Sequence, residues 1–277
     1  MPMSRSRFLI PGAAVVMVVV VVAGLAFFGK IPGLNAAARQ EKQLTNALDA
    51  IALTSPDFAV AVLDKANDRD FSYRGSERFD TASAVKVSVL ACVLLHAQDE
   101  KRELTAQETA RAKRMIQASD NDATTALFTE VGEVDGLTAC NKRVGLTETT
   151  VDKAWGLTST TADDQARLLG NLVDSGSELT VDHRQLIFDL METVNDDQNW
   201  GVPSVAKQGE HAPVKNGWDT RSDDHNLWVV NSLGRIVSED RETNVSIVVL
   251  SHGDKSLKDG IALVEKVAAA TRENLKY

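Results

Sequence analysis

Ser83 and Lys86 stand three residues apart in DTASAVKVSVLACVLLHA, at the mouth of a run that is otherwise valine, leucine, alanine and cysteine. Lysine rarely enters a core unless something there uses it. On a helix the two side chains would share one face, a turn apart. That arrangement suits a hydroxyl nucleophile and the amine that takes its proton, because partial desolvation lowers an amine's pKa and lets it act as a base. The blander reading has Lys86 snorkelling from a helix end. Two more groups accompany the pair: ASDND supplies Ser119, Asp120 and Asn121, and PVKNGW supplies Lys215, Asn216 and Gly217 just inside a predicted strand. Alone, the first reads as a helix N-cap cluster ahead of ATTALF and the second as a strand-end turn. It is their occurrence together and in this order that adds weight to the pair.

The order Ser-x-x-Lys, Ser-Asp-Asn, Lys-(Thr/Ser)-Gly is the motif set of the penicillin-recognising serine enzymes. From about residue 40 to its C-terminus the chain resembles the class A β-lactamases, and more closely their small actinobacterial serine-hydrolase relatives. FAVAVLD and ERFDTASAVK resemble the strands and loop before the family's nucleophile, STTADDQARLL its helix after the omega loop, and WVVNSLGR the strand after its third motif. The resemblance implies that Ser83 is acylated by a β-lactam or a peptidoglycan-like amide. Lys86 then serves as base, and Ser119 relays a proton to the leaving nitrogen. Asn121 would bond a substrate amide, and Lys215 would keep the network electropositive. The backbone N–H groups of Ser83 and Trp218 would form the oxyanion hole, where one donor is typically worth about 3 kcal/mol.

Three departures from the pattern carry consequences. Ser83 and Ser119 are closer in sequence than in typical class A enzymes, so a helix or loop beside the cleft is missing. Asn216 stands where threonine or serine is usual; its amide is expected to donate to a substrate carboxylate with a different reach. In the omega loop the family places a glutamate just after an Arg-Trp pair. The corresponding VDKAWGLTST has Gly156 there, in a shortened loop, with Glu148 and Asp152 nearby but outside any motif. A hydrolytic water then lacks a base, and β-lactamase turnover is expected to be weak.

These residues need a frame to hold them. FAVAVLD and FSYRG read as a hairpin joined by the polar KANDRD, and the pattern turns helical from Ser83 to about residue 200. Strands return after Pro203 as APVKNG, NLWVVNSLGRI and NVSIVVLS, and a closing helix carries Ile261, Val264, Val267 and Thr271 along one stripe. The expected fold is α+β, of the β-lactamase/transpeptidase-like kind: an antiparallel sheet from N- and C-terminal strands, flanked by helices, with an inserted all-helical region. His252-Gly253-Asp254 reads as a turn. Cys92 and Cys140 sit among apolar residues of predicted helices, which favours two buried thiols over a single bridge.

The N-terminus differs from the body. Arg5 and Arg7 precede residues 8–28, an uncharged apolar run that as a helix would be about 31 Å long, enough to cross a bilayer. The basic flank predicts a cytoplasmic N-terminus and an exported body. An uncleaved anchor is favoured, and the small residues Ala36-Ala37-Ala38 leave a cleaved signal peptide open. The expected division is residues 1–29 as cytoplasmic stub and anchor, 30–48 as juxtamembrane segment and start of the first helix, and 49–277 as the hydrolase domain. A net charge of −9 without a basic block speaks against nucleic acid as partner. The five histidines are scattered, so no metal or other cofactor is expected. The expectation is a monomeric, membrane-anchored, extracytoplasmic serine hydrolase acting on a small-molecule β-lactam or peptidoglycan-derived substrate. The alternative is a non-catalytic binding or scaffold protein of the cell envelope with the same fold.

Overall fold

The computed structural model describes residues 32–277. The apolar run at 8–28 lies outside the described residues. Helix α1 (Pro32–Ala52) leads into β1 (Asp57–Asp64) and β2 (Arg69–Tyr73), the expected hairpin. Strands β6 (Val214–Arg221), β7 (Leu227–Ser238) and β8 (Asn244–Asp254) come from the far end of the chain. They join the hairpin in one antiparallel sheet of order β2–β1–β8–β7, with β6 pairing β7 and the short β5 (Glu210–His211) pairing the end of β7. Alternation along β1 and β8 sends Phe58, Val60, Ile247 and Val249 to one face, and Ala59, Ala61, Val248 and Leu250 to the other. Both faces are covered, so these strands read as nearly continuous apolar runs.

On one face lie α1 and α8 (Leu257–Leu275), with Leu44, Leu48, Val264 and Val267 fully buried between them and the sheet. Since Leu44 belongs to this core, the folded unit begins earlier than residue 49. On the other face lies the helical region: α2 (Lys86–Asp99), α3 (Ala106–Gln117), α4 (Asn121–Glu130), α5 (Glu133–Arg143), α6 (Ala162–Val173) and α7 (Val181–Glu192). A two-stranded ribbon of β3 (Phe79–Asp80) and β4 (Ser159–Thr160) ties it to the sheet. The α+β arrangement expected from the chain order is the one observed. His252-Gly253-Asp254 is not a free turn: it ends β8, and the buried Asp254 accepts a hydrogen bond from Ser251 Oγ.

The apolar stretch Ala82–Asp99 is long enough to span a membrane, yet it is the buried central helix of the domain. Eleven of the residues of α2 are buried, from Lys86 to Ala97. The two cysteines correct the expectation of separate thiols: Cys92 on α2 and Cys140 on α5 form a disulfide, with Cα atoms 5.8 Å apart. The reason is helix packing that brings together residues 48 apart in sequence, which spacing alone does not reveal. A loop of that size predicts that replacing both cysteines by serine costs about 2–4 kcal/mol. Denaturant unfolding of the double variant beside the oxidised protein measures it; equal midpoints would show that the bridge is energetically idle.

Candidate active site

Ser83, the candidate nucleophile, sits in a short 3-10 turn, Ala82–Val85, directly ahead of α2. Ala82 adopts a positive φ of 43°, uncommon for a residue with a side chain. Thr81 N–H is held by the carbonyl of Thr158, and Asn231, fully buried in β7, donates from its amide to the carbonyls of Asp80 and Thr81 at 2.8 and 3.0 Å. Asp80 also receives Arg221 Nε at 2.6 Å. The turn is therefore fastened from the sheet and from the β3–β4 ribbon. Gly217 explains how β6 comes so close: a Cβ there would meet Ala84 N at 2.5 Å, Thr81 O at 2.7 Å and Ser83 N at 2.8 Å. Only glycine fits that approach, and it brings the strand backbone preceding Trp218 against the start of the nucleophile turn.

Lys86 is fully buried, and its Nζ lies within 2.7–3.0 Å of four oxygens: Ser83 Oγ at 2.9 Å, Ser119 O at 2.7 Å, Ser119 Oγ at 3.0 Å and Asn121 Oδ1 at 2.8 Å. Ser119 reaches this position from a left-handed backbone (φ 54°) in the turn between α3 and α4. Asp120 meanwhile caps α4, accepting from Ala123 N–H at 2.7 Å. The N-cap reading and the site reading of that triplet thus both hold, for different residues. Lys215, 1% exposed, completes the group with Nζ 3.0 Å from Ser119 Oγ and 2.7 Å from Asn216 O. One network thus joins Ser83, Lys86, Ser119, Asn121 and Lys215.

The geometry accommodates a neutral Lys86 as well as a charged one. A carbonyl and an amide oxygen can only accept, so they take the two N–H bonds of an uncharged amine and leave its lone pair for the Ser83 hydroxyl proton. Burial pushes the Lys86 amine down to about 7, the nearby Asp120 carboxylate opposing it only in part. Burial, not a neighbouring cation, is thus the cause. Burial, and secondly Lys86 when it carries its proton, holds Lys215 well below the usual amine range.

Asn216 departs from its expected role. Strand alternation that aims Lys215 at Ser119 turns Asn216 to the opposite face, where its Nδ2 donates to the carbonyls of Gln198 at 2.8 Å and Trp200 at 2.9 Å. Its amide donors hold the segment before β5 and do not face the cleft. Near the position expected for a catalytic glutamate, Trp155 sets its ring centroid 5.0 Å from Lys86 Nζ and donates from Nε1 to Thr125 Oγ1. Gly156 offers only its carbonyl, to Arg221. Glu148 accepts from Thr161 Oγ1 and lies 3.6 Å from Arg167, while Asp152 accepts from Ala154 N–H. Neither carboxylate belongs to the lysine network. Sequence reasoning missed Asn231, Arg221 and Trp155. The amide of Asn231 within the apolar WVVNSLG was the available signal, since a polar side chain in a buried strand needs a partner.

The profile of the Beta-lactamase enzyme family matches residues 41–114 and 95–275. A Mycobacterium tuberculosis protein whose name calls it a lipoprotein, LppW, is 27% identical over 199 residues, which are 69% of this chain and 60% of that protein; a Mycobacterium bovis counterpart matches equally. The chain thus spans about 60% of the length of these curated relatives. Among solved structures, the chromosome-encoded β-lactamase of Vibrio parahaemolyticus superposes with a TM-score of 0.71 at 18% identity, covering 83% of this chain and 98% of that one. A β-lactamase from Xanthomonas campestris gives 0.73 at 19%, covering 85% and 98%. At these identities the likeness is one of fold.

The state of Lys86 has a kinetic signature. Below about 7 the amine is charged and has no lone pair for the Ser83 proton; above it the amine is free. Acylation of Ser83 should rise about tenfold per pH unit up to that value and then level off. Initial rates of adduct formation over roughly pH 5 to 9 check this; a flat profile would remove Lys86 as the base.

Proposed function

Because the chain belongs to the Beta-lactamase enzyme family, we propose that it is an extracytoplasmic serine hydrolase acylated on Ser83 by β-lactams or peptidoglycan-like amides, with slow release of the acyl group. The observation that carries this reading is the single amine, Lys86 Nζ, within hydrogen-bond distance of both Ser83 Oγ and Ser119 Oγ. Ser83 Oγ attacks the carbonyl carbon while its proton passes to Lys86. The resulting oxyanion is received by the N–H groups of Ser83 and Trp218. As the C–N bond breaks, Ser119 Oγ gives its proton to the leaving nitrogen and regains one from Lys86. Protons balance, and Lys86 ends neutral beside an ester.

Hydrolysis of that ester needs a water molecule deprotonated near Ser83. Gly156 has no carboxylate to give, and the hydrogen bonds of Glu148 and Asp152 point elsewhere. Losing a well-placed base typically slows a step by about 10²–10⁴-fold. An envelope location is supported by the named lipoprotein relative and by the disulfide, which suits an oxidising compartment. Residues 8–28 would supply the membrane anchor, and the domain would act as a monomer.

A chromogenic cephalosporin should give a burst near one equivalent followed by a shallow steady rate, and intact-mass spectrometry should find one adduct, absent from Ser83→Ala. Sustained rapid turnover would show that another group supplies the base. No adduct at all would favour a non-catalytic envelope binding protein.

A further inference from the structure

At the strand end beyond Lys215, the side chains that could receive an anion are turned away or already bonded. Asn216 is 1% exposed with both amide hydrogens directed at the carbonyls of Gln198 and Trp200, and its Oδ1 is buried without a partner. Directly across the sheet stands Ser232, fully buried, whose Oγ accepts from Val202 N–H at 3.0 Å. Trp200 packs on Trp218 at 5.6 Å between ring centroids, over this same face of β6. The strand end is thus roofed by the segment from Gln198 to Val202, and neither polar side chain beneath it can turn outward without breaking those bonds.

Three basic side chains beside the nucleophile turn are engaged. Lys86 and Lys215 are buried, with Nζ atoms directed at the oxygens of the serine network. Arg221, on the cleft-facing side of β6, is held by Asp80 at 2.6 Å, Asp219 at 3.0 Å and the Gly156 carbonyl at 3.2 Å. Two carboxylates against one guanidinium leave that cluster net negative. Exposed carboxylates neighbour the site residues in sequence: Asp219 between Gly217 and Arg221, its side chain 63% exposed, Asp122 next to Asn121 in the first turn of α4, and Asp196 and Asp197 just before the roof segment. A carboxylate arriving at this strand end meets Asp219 and Asp80 already on Arg221 and finds Asn216 turned away.

Resting on the acyl-transfer reading above, we infer that the acyl donor this cleft is shaped for carries no carboxylate beside its scissile nitrogen and is neutral or cationic at that end. An amidated or esterified peptide stem has that chemistry, whereas a peptide ending in a free carboxylate does not. Acylation by ordinary penicillins then runs without the contact that would hold their carboxylate.

The test compares three probes on the full-length protein by intact mass and peptide mapping of Ser83: benzylpenicillin, its methyl ester, and p-nitrophenyl acetate as a small neutral acyl donor. A site built around a carboxylate rejects the analogue lacking it by orders of magnitude. Here the methyl ester should acylate Ser83 at least as fast as the free acid. A free acid faster than its ester by more than about tenfold, roughly one charge-assisted hydrogen bond, overturns the inference while leaving Ser83 as the nucleophile. Failure of all three probes to label Ser83 overturns the acyl-transfer reading and this inference with it.

Discussion

A dry amine among oxygens is the feature on which the rest of the molecule depends. Lys86 is shut off from bulk solvent, so burial favours the neutral form, and four oxygens within 3.0 Å decide where its protons and lone pair point. An unpaired ammonium there would be strongly destabilising, and an unpaired neutral amine would lack orientation. The network around it answers both demands, and it joins groups from three parts of the chain: the nucleophile turn, the turn before α4, and β6.

Much of the fold serves to hold these three parts in register. Gly217 lets β6 touch the nucleophile turn, Asn231 fastens that turn to β7, and Arg221 fastens it through Asp80. Positive φ at Ala82 and Ser119 places conformational cost at the two turns that present the hydroxyls, a cost the surrounding packing must offset. The disulfide joins the helix that begins with Lys86 to α5 and so braces the apolar block behind the amine. The same rigidity sets a limit on function. Trp155 faces the amine, and the loop around Gly156 presents a carbonyl where the proposed hydrolysis would need a carboxylate.

Local spacing carried most of what was legible. A three-residue interval is enough to suggest Ser83 and Lys86 as a pair, and it is the resemblance of the motif order to a known family's that associates Ser119 and Lys215 with them. The two strand groups separated by a helical stretch were likewise readable, because alternation and 3.6-residue periodicity are local. What spacing could not show depended on contacts between distant segments. Asn216 turns away because strand parity opposes it to Lys215 and because the carbonyls of Gln198 and Trp200 lie above it. Cys92 meets Cys140 through the packing of α2 on α5. Asn231 acts through a turn some 150 residues earlier.

The central claim is that Lys86, bonded to Ser83, gives up its proton near neutral pH, far below the ordinary lysine range, and its titration tests that claim most directly. With lysines labelled at Cε by ¹³C, the resonance lost in Lys86→Arg should shift with a midpoint at about 7. A midpoint in the ordinary lysine range of about 10 would contradict the account, because an amine still charged there has no lone pair for the Ser83 proton.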